Sequence, residues 1–243
     1  MKTFLSLFSR PAVLASSLVI AVASTAEGAI IAQWTFETSP PADLNNSTSI
    51  DGIGADTGSG TASGLHASSA SDWTTPAGNG SANSLSVNNW GVGDYFQFQT
   101  SSAGQIGIQL EWDQRGSDTG PRDFVLQYST DGASFTQFGG TYTVQNVAWN
   151  SSTPTGSTHY TQDLSSVTDL DDATAIYFRL VNSSTVSIAG ATVAGTGTGV
   201  IDNFSISSLT AVPEPHEYAL VVGFGLAAFA VWRRMNTMRR SVA

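Results

Sequence analysis

The sequence predicts an all-β fold, an antiparallel β-sandwich, and three observations carry that prediction. Short blocks alternate apolar and polar residues at period two, as strands do when one face packs and the other meets water. Gly-rich turn signals divide these blocks,. Between residues 30 and 208 no stretch carries a convincing helical period,.

The elements follow in order. Ile30–Phe36 (IIAQWTF) is β-rich,. Asn45–Ser84 is poor in apolar residues and dense in Gly, Ser, Thr and Ala, and reads as long loops with one or two weak strands,. Asp94–Thr100 alternates Phe96 and Phe98 with Gln97 and Gln99. Ile106, Ile108, Leu110 and Trp112 share one face, as do Phe124, Leu126 and Tyr128, and then Ile176, Phe178 and Leu180,. Ser129–Phe138 reads as a hairpin turning at Asp131-Gly132, with Gly139-Gly140 a further hairpin signal,. Ala191–Gly199 is a second loop before a last strand, Val200–Ile206. The whole reads as a jelly-roll sandwich of about eight or more strands spanning 30–208.

Charge narrows the function. From Glu27 to Val212, 17 Asp and Glu stand against three arginines (Arg115, Arg122, Arg179) and no lysine. Such a surface repels phosphate backbones, so no nucleic-acid partner is expected. The chain has no cysteine, which removes disulfides, thiolate metal ligands and thiol catalysis.

The two ends read as targeting segments. Residues 1–29 form a signal peptide: Lys2 and Arg10 precede an apolar run, Ala12–Ala23, and small residues offer cleavage sites,. At the other end, residues 209–217 form a linker containing Pro213-Glu214-Pro215. Residues 218–232 form an apolar segment and 233–243 a basic tail beginning Arg233-Arg234. A 15-residue helix rises about 22 Å, short of the roughly 30 Å hydrocarbon core. It is expected as a short transmembrane helix, and the arginines keep the tail cytoplasmic.

The order of triplet, short span and basic tail from Val212 to Arg234 resembles the PEP-CTERM sorting signal of Gram-negative bacteria. The resemblance implies recognition of Pro213, Glu214 and Pro215 by an exosortase-type enzyme. It also implies transient anchoring in the inner membrane and delivery to the cell surface or an exopolysaccharide biofilm matrix. More diffusely, Arg115–Thr143 and Val200–Ile206 resemble extracellular jelly-roll modules of the galactose-binding-like and carbohydrate-binding type. In such modules a first-strand Glu and a last-strand Asp often help hold a structural Ca²⁺, which the resemblance maps to Glu37 and Asp202.

The residues themselves leave alternatives. Asp202 falls in period with Val200, Phe204 and Ile206. On that frame it faces inward, where a carboxylate must be hydrogen-bonded, paired or metal-bound; otherwise Ile201 faces inward and Asp202 meets solvent. Trp73, Trp90 and Trp149 lie in polar contexts, either as sugar platforms converging on one groove or as packed lids. Arg115, Asp118, Arg122 and Asp123 read as a surface ion-pair cluster around a Gly-Pro turn. The carboxylate pairs Glu111/Asp113 and Asp171/Asp172 read as a solvated strand face and a turn,. His66 and His159 are the histidines outside the tail, and a hydrolase would need one of them beside a Ser or carboxylate in a pocket,. No catalytic residue is assigned. The expectation is a non-enzymatic, surface-sorted matrix protein; the alternatives are a glycan-binding module and a secreted hydrolase.

Overall fold

The computed structural model describes residues 29–211, 226–227, 229–230 and 232–234. The expected signal peptide to residue 28 and Pro213, Glu214 and Pro215 lie outside the described residues. The described residues between 226 and 234, Arg233 and Arg234 included, are helical. Among the described residues no helix is long and apolar enough to cross a membrane.

Two antiparallel sheets face one another. Thirteen strands build them: β1 Ile30–Trp34, β2 Ser49–Gly54, β3 Thr57–Gly58, β4 Thr61–Leu65, β5 Trp73–Thr74, β6 Leu85–Val87 and β7 Tyr95–Thr100, then β8 Gln105–Gly116, β9 Asp123–Ser129, β10 Thr136–Thr143, β11 His159–Asp163, β12 Ile176–Asn182 and β13 Gly199–Ala211. One sheet runs β11-β8-β13-β1-β3, with β6 and β5 continuing beside β13. The other has six strands in the order β10-β9-β12-β7-β4-β2.

Alternation places the core between the sheets. Phe96 and Phe98 of β7, Leu110 and Trp112 of β8, and Phe178 and Leu180 of β12 are fully buried. Aromatic contacts bridge the layers: Phe98 stacks on Phe204 of β13 at 3.6 Å, and the Trp34 ring of β1 meets Phe98 edge-on at 5.2 Å. Edge contacts such as that of Trp34 on Phe98 add about 0.5–1.5 kcal/mol beyond area burial,.

The structure corrects the sequence reading in three places. The segment 45–84 holds four strands, β2 to β5, rather than one or two. Its small residues are required: a Cβ on Gly64 would lie 2.3 Å from the Trp73 ring. Gly139-Gly140 is no hairpin turn. Both residues lie inside β10, where the register against β9 shifts between Phe138 and Tyr142 and Gly139 takes φ 68°; glycine accommodates that bulge without strain. The third concerns β13. Asp202 pairs directly with Asp113 of β8, so the two side chains share a face,. Trp112 and Ile201 lie on the opposite, inner face,. Asn203, at φ 51°, forms a bulge that returns Phe204 to the interior. The period-two frame through Asp202 therefore breaks at Asn203. Asp202 is on the outer side of its sheet and is nevertheless fully buried.

Candidate functional site

The outer side of the six-stranded sheet carries the polar half of the alternation. Register aligns Gln137 of β10, Gln127 of β9, Arg179 of β12, Gln97 of β7 and Ser63 of β4 in one transverse row. At the usual strand spacing five strands span about 19 Å. Within this face lies a cleft of about 240 Å³, lined in part by Asp51, Ser63, Leu65, Tyr95, Gln97 and Arg179. Leu65 is 44% exposed and offers an apolar edge.

Arg179 is the most constrained side chain of the cleft. Its guanidinium carbon stacks 4.0 Å from the Tyr95 ring centroid and 3.6 Å from that of Phe135, which comes from the β9–β10 turn. Its Nε donates to Gln97 Oε1 at 2.8 Å. Gln97 Nε2 in turn faces Ser63 Oγ at 3.5 Å. Partial burial pulls the guanidinium pKa below its ordinary value, with Tyr95 acting in the opposite sense; an arginine stays charged regardless. The Phe135 turn is pinned by Asp131, whose carboxylate accepts from the Ser134 and Ala133 N–H groups at 2.8 Å each and from Ser129 Oγ. Those bonds hold Asp131 near pKa 2. Two further clefts exist, at Ser39–Leu44 with Ile50–Gly54, and at Ser59–Thr61 with Gln99–Ser101. Neither brings together charged and amide side chains as the first does.

The residues singled out by sequence lie elsewhere. Trp73 and Trp90 are buried, and their indole N–H groups donate to Ser47 O and Val87 O. Their rings close on His66, at 5.0 and 4.4 Å. Trp149 is buried too, donates to Thr158 Oγ1 at 2.9 Å and lies under Arg115. None of the three offers an open face to a sugar, so the platform reading of Trp73, Trp90 and Trp149 gives way to the packing reading.

The Glu37/Asp202 pair is also reassigned. Asp202 Oδ2 accepts from Asn79 N–H at 2.8 Å and Ser81 Oγ at 2.6 Å, while Oδ1 accepts from Asn203 N–H at 2.8 Å. Glu37 Oε1 accepts from Asn83 N–H at 2.7 Å. Both carboxylates hold the same loop, 78–83. Donors point at Asp202 where a cation would have to sit, and among the described residues no group of three or more His, Asp or Glu is placed to hold a metal. The residues as arranged do not fit calcium. Burial raises the Asp202 pKa to about 6 against the lowering effect of those hydrogen bonds, and Asp113 adds to the rise. Asp113 is held by Asn203 Nδ2 at 2.8 Å and His159 Nδ1 at 3.0 Å.

A Ser–His–Asp set does assemble, but not as a relay. His66 Nδ1 lies 3.0 Å from Ser71 Oγ and 3.6 Å from Asp94 Oδ2. In a nucleophilic relay the serine and carboxylate address opposite ring nitrogens. Here both address Nδ1, while Nε2 is buried without a hydrogen bond. Ser71 is fully buried, and burial lowers the His66 pKa to about 4 despite the Asp94 charge and the Asn88 backbone. Within the acidic and basic cluster, Arg122 pairs with Asp123 at 2.8 Å, whereas Arg115 turns inward over Trp149.

Sequence reasoning missed Arg179, Tyr95, Phe135 and Asp51 as site residues. The available signal was the hydrophilic half of the β7 alternation, Gln97 and Gln99, which reads in one dimension only as a wetted face.

No family model and no curated protein sequence matches the chain. Among solved structures the chain is similar to the tandem carbohydrate-binding modules of a Paenibacillus barcinonensis protein (TM-score 0.44, 12% identity, 79% of this chain and 48% of that one). It thus spans about half of that tandem. It is also similar to the second, xylan-binding module of that protein alone (TM-score 0.39, 11% identity, 72% and 98%). A third likeness is to a cleaved adhesin domain of Lys-gingipain from Porphyromonas gingivalis (TM-score 0.37, 15% identity, 72% and 96%).

Proposed function

We propose that the chain is a glycan-binding, jelly-roll β-sandwich protein delivered outside the cell, with its ligand held on the outer face of the six-stranded sheet. The observation that carries the reading is the cleft: amides of Gln97, the Arg179 fork, Ser63 and Asp51 converge beside Tyr95 and Leu65. Sugar sites combine an apolar edge with a few placed donors and acceptors, because each pyranose has apolar C–H faces and an equatorial belt of hydroxyls. Amide side chains suit hydroxyls, since each supplies both donors and an acceptor. Delivery is supported by the sequence alone: the 1–29 leader, the Pro213–Pro215 triplet and the arginine tail. An exosortase-type partner, a passing inner-membrane stage and residence in a polysaccharide matrix belong to this proposal.

The test is a glycan-array screen of the full chain followed by calorimetry on the hits. Binding should weaken at least tenfold in Gln97→Ala and Tyr95→Ala while the thermal midpoint stays within a few degrees. A folded chain that binds no glycan, or that binds one unaffected by both substitutions, sinks the assignment to this cleft.

A further inference from the structure

The domain's three arginines have different fates. Arg122 is neutralised in a two-point pair with Asp123, at 2.8 and 3.1 Å. Arg115 lies 5.3 Å over Trp149 with its Nε buried and unbonded. Arg179 has no carboxylate partner among the described residues, and its tip reaches solvent. Stacking on Tyr95 and Phe135 together with the Nε bond to Gln97 fixes the plane of the guanidinium. Among the described residues neither Nη group has a hydrogen-bond partner.

A planar fork whose orientation is already set loses little freedom on binding, and its geometry matches the two oxygens of a carboxylate. The flanking residues of the row, Gln127 and Gln97, are uncharged and suited to hydroxyls. Asp51 is the acidic side chain lining the same cleft. The wider surface is acidic and repels polyanions without discrimination, so a carboxylate finds favourable contact at Arg179 and not across the surface at large.

We propose that the cleft takes a carboxylated glycan, a uronic-acid oligomer in class, with Arg179 receiving the carboxylate and Gln97 and Gln127 the neighbouring hydroxyls. This rests on the glycan reading of the same cleft and sharpens it. Asp51 acts against the acid and limits its affinity.

The experiment is calorimetric titration of the full chain with galacturonate, mannuronate and glucuronate oligomers, each paired with its methyl ester. Esterification keeps the backbone and removes the charge. At least one acid should bind tenfold or more tighter than its ester. Arg179→Gln should bring the two to equality, and Asp51→Asn should raise affinity for the acid several-fold without changing that for the ester. Because Asp51 is exposed, that variant keeps the test alive even if Arg179→Gln were poorly folded. Equal binding of acid and ester in every pair, or binding of esters and neutral glucan oligomers only, overturns the carboxylate inference and leaves the glycan reading standing. No binding to any of these probes or to the array overturns both.

Discussion

The two outer faces of the sandwich begin from the same alternation and end differently. On the six-stranded sheet the polar row through Arg179 and Gln97 stays open. On the other sheet the polar pair Asp202 and Asp113 is covered by the loop 78–83 and by His159. Asp202 spends its oxygens on Asn79, Ser81 and Asn203; Arg179 keeps two donor groups for a visitor. What separates a strut from a site is whether a loop crosses the face and consumes its hydrogen-bonding capacity. Chain spacing does not reveal this, because both faces obey the same period of two.

The largest test of this contrast concerns a residue whose polar sequence context left both an open platform and a packed lid possible, and which the structure places under cover. Trp73→Ala should cost about 3–5 kcal/mol, as for a buried large aromatic, because the ring packs on Gly64, His66 and Phe96. For a domain of this size that is roughly 6–20 °C in thermal midpoint, read by calorimetry. A loss under 1 kcal/mol would return Trp73 to the surface and erase the distinction.

A smaller effect uses pH on the two covered polar groups. The His66 pKa falls from its ordinary 6.5 to about 4, so between those values the unfolded chain holds the proton and the folded one does not. Its stability contribution is present above pH 6.5 and is lost as pH falls toward 4. The Asp202 pKa rises from 3.8 to about 6, so its contribution is present below 3.8 and is lost as pH rises through 6. Each amounts to about 3 kcal/mol at 1.36 per pKa unit, with opposite slopes over overlapping windows. In the wild type the two contributions therefore oppose one another between pH 4 and 6,. His66→Gln should expose a slope falling with pH, and Asp202→Asn a slope rising with it. Two parallel curves in urea melts would show that neither group is covered as described.

The strands were readable where side chains are large. Phe96 and Phe98, Ile108 to Trp112, and Ile176 to Leu180 each announce a buried stripe, because a packed face demands bulk at every second position. The strands β2 to β5 were not, since their inward positions include Ala62 and Gly64, small so that Trp73 and its neighbours can lie across them. The Asn203 bulge was invisible for another reason. One left-handed residue resets the frame without altering composition, and Asn tolerates that conformation well enough to give no alarm. The cleft needed both a register across five strands and a turn delivering Phe135 to Arg179. Neither is a property of any single segment.

The smallest expected change is the most discriminating for the open face. Arg179→Ala removes a partly buried side chain with two ring contacts and one hydrogen bond. A partly exposed cation–π contact contributes about 0.5–1 kcal/mol, and the water that replaces the guanidinium satisfies Gln97. Stability should fall by about 1 kcal/mol, or roughly 2–4 °C, while the six-stranded sheet keeps its register in amide hydrogen-exchange measurements. A structural strut in the same position would leave partners stranded and open β12 from β7. If Arg179→Ala unfolds the sheet to the degree expected of Trp73→Ala, then Arg179 belongs with Asp202 among the struts, and the open face has no hand to offer a ligand.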